Sequence, residues 1–584
     1  MANTPIPRAA DGFFHPASEA DVIALVNFAR ENGLQLRARG ATHSVGFSIY
    51  TDPVDGSLAN QTLEQSPPAG PNINLALDQM RGLTWIDPDA GIVEAQAGIN
   101  LGRDPGDPFG VSTLENSFLH QIFEQGWAVN ILGGITHQTV SGFTAMGSAG
   151  GSIQYAYDNI IAFRVVDGLG QASWIEAGDP TFDAMLTSLG LLGVITAMRF
   201  QLVKMYNIAG TVTTTPTRLT APTGPSRPGV PASCPIDLFG PGVAATPDSP
   251  AKPSLQQFLT DTPYARMTWW PQKGVERVQI WQASRVGASD KHLVPYQEFA
   301  SSLIGQASQL TASIIYVLIG NTSLSRIFGF FGRNLRQFHG NLSAMWGKAL
   351  PGAGQLGAAA VTVVLGALIY LVGGILGLLR GSMRRLFPAL LPGFAPLAKP
   401  APFTDWYWRS LCMDNTADDV LLATEFIEIW VPIQYTQQVM ALFQAMFDAK
   451  GSAATGYYAQ EIYAAAPSTA WLNPSYSNGS DAYKDGVSRF DVYWYRDNEG
   501  APNLIHGFFE QYWDLLRDRP DPIPFRFHWG KFIPFYDFPG WAKYYADNLP
   551  RYGDFLALRA QRDPANVFFT EYWQLRLLGK RVGE

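Results

Sequence analysis

A short loop near the N-terminus combines glycine with a histidine at a spacing that suits cofactor chemistry. It consists of Arg39, Gly40, Ala41, Thr42, His43 and Ser44. A loop that contains glycine lets backbone N–H groups approach a diphosphate and satisfy its charge. The imidazole just beyond the glycine can act as a nucleophile. The loop therefore predicts a binding site for a ligand with a diphosphate, and His43 lies beside it.

A second set of polar side chains occupies two stretches in the C-terminal third. The stretch from Phe490 to Tyr495 alternates, so Asp491, Tyr493 and Tyr495 share one face of a predicted strand. Residues 525–532 also predict a strand, in which a period of two places Trp529 and Lys531 on one side. Carboxyl, hydroxyl and ammonium groups arranged in this way suit proton transfer and the stabilisation of negative charge.

These groups need elements to position them, and the pattern along the chain predicts an α/β part followed by a strand-rich part. Ser18 caps a predicted helix that ends at Asn32-Gly33, and residues 34–38 alternate as the strand before the loop. Further strands are predicted within 84–96, 160–167, 190–202, 265–281, 420–432 and 460–464, and a helix at 438–448. A stretch rich in Pro, Thr and Gly at 213–253 is typical of a boundary or a long loop.

Length and composition set wide limits. The 584 residues suffice for a large core and predict two or more domains. The formal net charge of −8 gives no reason to expect a nucleic-acid partner. Cys234 and Cys412 leave one disulfide possible but form no metal cluster, so no metal is predicted. The N-terminal MANTPIPRAADGFF shows no signal peptide, and the compartment stays open.

An apolar and basic stretch lies in the middle of this acidic chain. From Phe299 to Thr404 there is no Asp or Glu, whereas eight Arg and Lys residues occur. Residues 352–357 fit the G-x-G-x-x-G pattern, but neither a preceding strand nor an acidic residue about 20 positions later is present, as a dinucleotide loop requires. The uncharged run that follows has the length of a membrane-spanning helix.

Four segments in order carry a family resemblance. They are the loop around His43, residues 132–142, residues 147–152 and residues 189–196. Together they resemble the FAD-binding regions of the vanillyl-alcohol oxidase / p-cresol methylhydroxylase superfamily, in which the loop histidine is often bonded covalently to FAD. The resemblance implies FAD attached through His43. It also implies the binding residues Arg39, Gly40, Ala41, Thr42, Ser44, Gly133, Gly134, Ser141, Gly142, Gly147, Gly151, Gly193, Val194, Ile195 and His528.

The run from His528 to Lys531 matches the HWGK signature of the aldonolactone-oxidase branch, which includes sugar-lactone oxidases, alditol oxidases and type II cholesterol oxidases. Members often carry E-x-R on a strand, followed by W-L-x-P. Glu461 matches the Glu, ahead of Trp471-Leu472-Asn473-Pro474, but Tyr463 stands in place of the Arg. Asp491 stands where alditol oxidases carry a His.

The chemistry that the resemblance implies is hydride transfer from a carbinol carbon to flavin, after which oxygen is reduced to peroxide. Glu461 is the expected base, and Lys531 is expected to stabilise negative charge. Tyr463 and Tyr493 are expected to donate hydrogen bonds to the substrate oxygen, with Asp491 beside them. Gly133 is the expected small residue near the flavin, and His137 is expected to be structural.

The resemblance implies an α+β fold with a two-part FAD-binding domain of the PCMH type and an α+β substrate (cap) domain that carries a helical apolar insertion. The predicted bounds are 1–204 for the FAD-binding domain, 205–540 for the cap with its insertion at 299–404, and 541–584 for a segment that returns to the FAD-binding domain. A single membrane crossing would separate the two matched parts. Residues 303–400 are therefore predicted to lie in a membrane interface; a buried insertion or an oligomer contact is the alternative.

The leading functional hypothesis is an oxidase of a lipophilic alcohol, such as a sterol, with oxygen as acceptor. The alternatives are a sugar-lactone or alditol oxidase, a membrane-associated dehydrogenase that passes electrons to a quinone, and a non-catalytic membrane-binding protein. The sequence leaves the exact substrate and the oligomeric state open.

Overall fold

The structure is a computed structural model. It describes residues 4–52, 67, 69–217, 254–272, 275–296, 396–414, 424–450, 459–495 and 501–584, with isolated helical positions between 359 and 371. The apolar G-x-G-x-x-G segment and most of the insertion at 299–404 lie outside the described residues, as does Cys234. Cys412 is a buried free thiol. No helix in the described parts of the chain has both the length and the apolar character that a membrane crossing needs.

The N-terminal part is built on a five-stranded sheet with the strand order β3-β4-β8-β6-β7, in which neighbouring strands are antiparallel. The strands are β3 (Leu83–Asp87), β4 (Ile92–Gln96), β6 (Ile160–Val166), β7 (Ala172–Glu176) and β8 (Val194–Gln201). A parallel pair, β1 (Leu36–Arg39) and β2 (Ile73–Ala76), and a short pair, β5 (Trp127–Ala128) and β9 (Val203–Lys204), complete the strands here.

Helices in this part begin where capping residues allow. They are α1 (Glu19–Glu31), α2 (Gly46–Ile49), α3 (Phe118–Phe123), α4 (Val140–Ala145) and α5 (Phe182–Met185). Ser18 and Asp21 form a capping box at the start of α1, which buries Val22, Val26 and Ala29 as its apolar spacing predicts. Strand β1 then delivers the chain directly to the loop that holds His43.

The second part is an antiparallel sheet of eight strands in the order β13-β10-β12-β11-β15-β16-β14-β17. The strands are β10 (Tyr206–Pro216), β11 (Tyr264–Trp270), β12 (Arg277–Gly287), β13 (Ala398–Trp406), β14 (Thr424–Pro432), β15 (Gln460–Ala465), β16 (Val487–Tyr495) and β17 (Arg526–Phe527). The helices are α6 (Leu255–Asp261), α7 (Tyr407–Ser410), α8 (Thr436–Lys450) and α9 (Ala501–Arg517), and a 3-10 turn covers Ile433–Tyr435.

The two faces of this sheet differ in chemistry. Alternation sends Met267, Ile462 and Phe490 to one face, where Phe490 packs edge-on against Phe443 of α8 at 5.6 Å. The residues between them, which include Glu461 and Asp491, point to the other face and toward the N-terminal part. The apolar face therefore anchors the sheet on its helices, while the opposite face is left for polar side chains.

Three C-terminal helices bring the chain back to the N-terminal part: α10 (Phe538–Asn548), α11 (Tyr552–Arg562) and α12 (Glu571–Leu578). The N–H of Leu36 donates to the carbonyl of Val567 at 2.7 Å, and the Trp573 indole donates to the carbonyl of Ser48 at 3.1 Å. The C-terminal segment thus contacts β1 and α2 of the N-terminal part.

The strand predicted at 525–532 is wrong beyond Phe527, because the chain turns there. The N–H of Lys531 donates to the carbonyl of His528 at 3.1 Å, which closes a turn around Gly530. Trp529 consequently enters the core, with its ring 6.2 Å from that of Trp573. Lys531 points elsewhere, so the two side chains do not share a face.

Candidate active site

A groove that is partly open to solvent lies in the N-terminal part and is bordered by His528 and Lys531 of the second part; its empty space, open solvent included, is about 940 Å³. Its lining also includes the loop from Arg39 to Ser44, the residues Gln138, Thr139, Ser141 and Gly142, and Gly190 with residues 193–195. The described lining residues include the cations Arg37, Arg39 and Lys531 and contain no Asp or Glu. This groove is suited to an elongated anionic ligand.

The loop at the middle of the groove is held very close to the start of α4. A Cβ added to Gly40 would lie 2.8 Å from Thr139 Oγ1 and 3.7 Å from the Cα of Gly142. Thr42 adopts a left-handed conformation with φ of 62°, which costs energy for a non-glycine residue and is common at functional sites. The backbone is thus packed so tightly that only glycine fits at position 40.

One end of the groove is braced by a buried arginine. Arg37 donates from Nη2 to the carbonyls of Ser48 and Leu189 at 2.6 and 2.8 Å, and from Nη1 to that of Gly190 at 3.1 Å. These bonds fix the turn at Leu189, which has a positive φ of 56°. Sequence reasoning did not select Arg37, because its role depends on a turn about 150 residues away in the chain.

His43 lines the groove beside a second histidine. Its ring centroid is 5.6 Å from that of His137, whose Nε2 is 3.6 Å from the Asp414 carboxylate. Lys531 Nζ donates to the backbone carbonyl of His43 at 2.9 Å. The HWGK turn therefore holds the His43 loop directly.

The polar face of the large sheet carries the predicted acid–base residues. The Tyr463 hydroxyl donates a hydrogen bond to the Glu461 carboxyl at 2.6 Å. Tyr493 also hydrogen-bonds this carboxyl. Glu461 is partly buried, whereas Asp491 is only 2% exposed. Burial raises the pKa of Glu461, and the hydrogen bonds from Tyr463 and Tyr493 oppose this rise. Such a carboxyl is a suitable proton acceptor.

Two arginines that sequence reasoning missed flank Tyr463 on neighbouring strands. Arg266 on β11 and Arg489 on β16 are its direct cross-strand partners. The Arg489 guanidinium stacks on the Tyr463 ring, 4.1 Å from its centroid, and donates to the carbonyl of Ala149 at 2.8 Å. Where the family pattern places an Arg at position 463, this chain thus has a guanidinium on each side of Tyr463, from Arg266 and Arg489. Only the strand register could reveal this.

His528 is buried and neutral. Burial lowers its pKa to about 4. Its Nδ1 accepts the N–H of Gly530 at 3.1 Å, so the proton resides on Nε2, which lies 3.4 Å from Ser148 Oγ. Its ring stacks on Trp430 at 6.3 Å. His528 therefore lines the groove as an uncharged wall.

The predicted cofactor residues fall into two groups. Arg39, Gly40, Ala41, Thr42, His43, Ser44, Ser141, Gly142, Gly193, Val194, Ile195 and His528 line the groove, whereas Gly133, Gly134, Gly147 and Gly151 do not. A Cβ on Gly133 would meet the Phe143 ring at 2.8 Å in the core, while one on Gly134 would meet the Tyr463 hydroxyl at 3.3 Å. Gly134, not Gly133, is the small residue that this loop turns toward the polar face.

Comparison with known proteins bears on the ligand. A family model described as an FAD binding domain matches residues 10–103. The chain carries an FAD-binding domain. The matched residues include the loop around His43 and the paired strands β1 and β2.

Two curated relatives each match about a third of the chain. The chain is 26% identical over 206 residues to D-arabinono-1,4-lactone oxidase of Eremothecium gossypii and 26% identical over 203 residues to that of Saccharomyces cerevisiae. Each match covers 34% of this chain and 33% of the relative, so the chain spans about a third of the length of the curated relatives it matches.

Solved structures share the fold over nearly the whole chain. Cholesterol oxidase from B. sterolicum matches with a TM-score of 0.57 at 16% identity, over 97% of this chain and 93% of that one. Glucooligosaccharide oxidase from Acremonium strictum, described with a 6-S-cysteinyl, 8α-N1-histidyl FAD, matches with a TM-score of 0.53 at 12% identity, over 95% and 89%. The predicted α+β fold with a PCMH-type FAD-binding domain is thereby confirmed.

The groove residues fit FAD. Three cations and closely packed backbone suit the diphosphate, and the absence of acidic groups among the described lining residues avoids repulsion. The side-chain oxygen Oε1 of Gln138 is buried at the groove without a hydrogen-bond partner among the described residues, and a ligand donor would satisfy it.

Proposed function

We propose that this protein is an FAD-dependent oxidase that removes a hydride from the carbon of a CH–OH group and uses oxygen as acceptor. The observation that carries the proposal is Glu461, a carboxyl of raised pKa that is hydrogen-bonded by two tyrosines. Its cross-strand neighbour Asp491 interacts electrostatically with Lys531, which lines the FAD groove. When bound, FAD accepts the hydride and passes the electrons on to oxygen.

The chain's own residues bind the alcohol and move its proton. Glu461 accepts the hydroxyl proton, since its raised pKa matches it to a weak acid better than an exposed carboxylate would be. Arg266 and Arg489 place positive charge on both sides of Tyr463 and favour a negatively charged substrate oxygen. Lys531 holds the His43 loop against the sheet, which fixes the distance between the two halves of the site.

His43 is the proposed point of covalent attachment for FAD. Support comes from its place at the groove, from the Lys531 bond to its carbonyl and from the histidyl FAD of the glucooligosaccharide oxidase fold relative. Acid precipitation of the purified protein should leave a yellow pellet, and His43→Ala should leave a colourless one. A colourless wild-type pellet would contradict the attachment.

The substrate class has two candidates. A lipophilic alcohol such as a sterol is supported by the whole-chain fold match to cholesterol oxidase and by the apolar insertion. A sugar lactone is supported by the two D-arabinono-1,4-lactone oxidase relatives and by the buried arginines beside Tyr463.

Aerobic assays of peroxide formation with cholesterol and with D-arabinono-1,4-lactone separate the two classes. We expect peroxide with cholesterol. Peroxide with the lactone alone would favour the second class. Flavin reduction by either substrate without peroxide would instead support a dehydrogenase that uses a quinone.

Contact with a membrane through residues 303–400 remains part of the proposal. Val363, Val364 and Leu371, at helical positions in this segment, are 70%, 69% and 63% exposed. Arg380, Arg384 and Arg385 follow and suit anionic head groups. Co-sedimentation with anionic liposomes should weaken when these three are changed to Gln, and also when residues 303–396 are deleted. Unchanged binding of the triple variant would exclude the charge contribution.

A further inference from the structure

Three carboxyl side chains form a row across neighbouring strands of the large sheet. Glu461 on β15 stands directly opposite Asp491 on β16, and Asp491 stands opposite Glu428 on β14. Side chains paired in this way have Cβ atoms about 4.5–5.5 Å apart. Asp491 and Glu428 are 2% and 4% exposed. Carboxylates this close and this dry resist simultaneous ionisation.

The groups that face the carboxylate row come from every element around it. Arg489 Nη2 is 3.3 Å from Asp491, and its Nη1 is 3.8 Å from Glu428. Arg266, Lys531, His528, Tyr463 and Tyr493 complete the set. These basic and hydroxyl groups stabilise some, but not all, of the negative charge that full ionisation would place in the row.

The three carboxyls of the row differ in how readily they bind a proton. Burial raises the pKa of Asp491 well above its ordinary value despite Arg489, and the neighbouring carboxyls Glu428 and Glu461 raise it further. Burial acts likewise on Glu428, but the positive charges of Arg489 and Lys531 oppose it, and the pKa of Glu428 is lowered. Glu428 is therefore the carboxyl of the row that binds a proton least readily, and Asp491 is the one that binds it most readily. The Oδ1 of Asp491 is buried without a hydrogen-bond partner among the described residues.

We propose that the carboxylate row stores the substrate's hydroxyl proton inside the protein until oxygen is reduced. This inference rests on the proposed function. The alcohol O–H bond breaks as the carbon gives up its hydride, and an O–H bond forms at Glu461. Glu461 then keeps this proton beside the protonated Asp491, while Glu428 stays ionised and its negative charge holds the protons in the row.

The overall stoichiometry permits this storage. An alcohol and O2 give a carbonyl compound and H2O2, and no proton is gained or lost. The proton taken from the alcohol can therefore be the one that peroxide receives, when Glu461 gives it up. The carboxylate row then needs no exchange with solvent during a turnover.

The resting protonation of the row can be tested without any substrate. Infrared spectra of the FAD-loaded protein at neutral pH should show the carbonyl stretch of a buried protonated carboxyl. Asp491→Asn should remove this band, and the matched control Asp485→Asn, at an exposed carboxylate, should retain it. As the pH is raised, Glu428→Gln should lose the band at a lower pH than wild type, because the negative charge of Glu428 that helps to keep Asp491 protonated is gone. A band that survives in Asp491→Asn overturns the proposal.

Proton retention is tested by anaerobic stopped flow with cholesterol micelles or D-arabinono-1,4-lactone, in weakly buffered solution with an indicator dye. Wild type should lose its flavin absorbance without acidifying the solution, whereas Glu428→Gln should release about one proton per flavin. Release of one proton by wild type overturns the storage. If neither cholesterol nor D-arabinono-1,4-lactone reduces the flavin, the result counts against the proposed function instead. The infrared measurement then decides by itself whether Asp491 is protonated.

Discussion

Glu461 depends on partners that are close in space and mostly distant in the sequence. Tyr463 reaches it by strand alternation, but Tyr493, Arg489 and Asp491 come from the next strand. Removing the carboxyl from water raises its pKa, while the two tyrosine hydroxyls stabilise the ionised form. The balance leaves a base stronger than an exposed glutamate. Two predictions follow from this balance at the scale of single residues.

Replacing the proposed base should slow substrate oxidation strongly. Glu461→Gln keeps the size of the side chain but removes the proton acceptor, so the anaerobic flavin-reduction rate should fall by about 10²–10⁴-fold. Glu94→Gln, which alters an ion pair with Arg199 on the small sheet, is the control and should reduce flavin at the wild-type rate. Equal rates in Glu461→Gln and wild type would exclude Glu461 as the base.

The pH profile should reveal the tyrosine hydrogen bond. The ionised carboxylate is the active form, so the reduction rate should fall as pH drops through the pKa of Glu461, above the ordinary glutamate value of about 4.3. Tyr463→Phe removes a bond that lowers this pKa, and the acid limb should move to higher pH. An acid limb that stays at the same pH in Tyr463→Phe, or moves to lower pH, would contradict the assignment of this limb to Glu461.

At the scale of elements, the loop at residues 147–152 joins the large sheet at a point where only glycine fits. The N–H of Ala265 in β11 donates to the carbonyl of Gly151 at 2.9 Å. A Cβ on Gly151 would lie 2.3 Å from the carbonyl oxygen of Ala265 and 3.2 Å from the Tyr463 ring. The loop and the strands of the site therefore touch backbone to backbone, and the position of Tyr463 depends on this contact.

Adding a methyl group at this contact should destabilise the protein. Gly151→Ala should lower the free energy of unfolding by about 1–3 kcal/mol through overpacking, measured by urea denaturation. Gly553→Ala is the matched control, since a Cβ there meets nothing within 4 Å in α11. It should raise stability by about 0.5–1 kcal/mol. Equal midpoints for both variants would contradict the contact.

At the scale of the whole molecule, the groove is assembled from segments that span most of the chain. The His43 loop, the turn at Leu189, the HWGK turn and Phe568 all line it. The C-terminal helices hold β1 through Val567 and brace α2 through Trp573. A ligand that fills this groove contacts every one of these segments, so its binding should stabilise the folded state as a unit.

The dependence of stability on FAD can be measured once the covalent link is removed. His43→Ala should bind FAD reversibly, and free FAD at about 100 times its Kd should raise the free energy of unfolding by about 2.7 kcal/mol. The melting temperature should rise with FAD concentration. Riboflavin, which lacks the diphosphate, is the control ligand and should have a much smaller effect. Equal shifts with both ligands would contradict diphosphate binding in the loop.

Local sequence signals predicted much of the N-terminal part. The capping box at Ser18, the apolar spacing of α1 and the glycine loop before His43 are decided within a few residues, because helix caps and tight turns involve near neighbours. The alternation in β16 likewise predicted that Asp491 and Tyr493 would share one face of a strand, whereas Glu461 was expected from the family pattern alone. These features follow from the chemistry of short stretches.

Only the tertiary structure decided which of these stretches meet. Strand register placed Arg266 and Arg489 beside Tyr463 and put Glu428 in line with Asp491, and register is a property of two strands rather than one. The turn at Gly530 separated Trp529 from Lys531, where alternation alone predicted a shared face. Thus the sequence determined the cofactor loop and the polar residues. The pairing of strands, whose cross-strand neighbours no local pattern specifies, decided the charges around them.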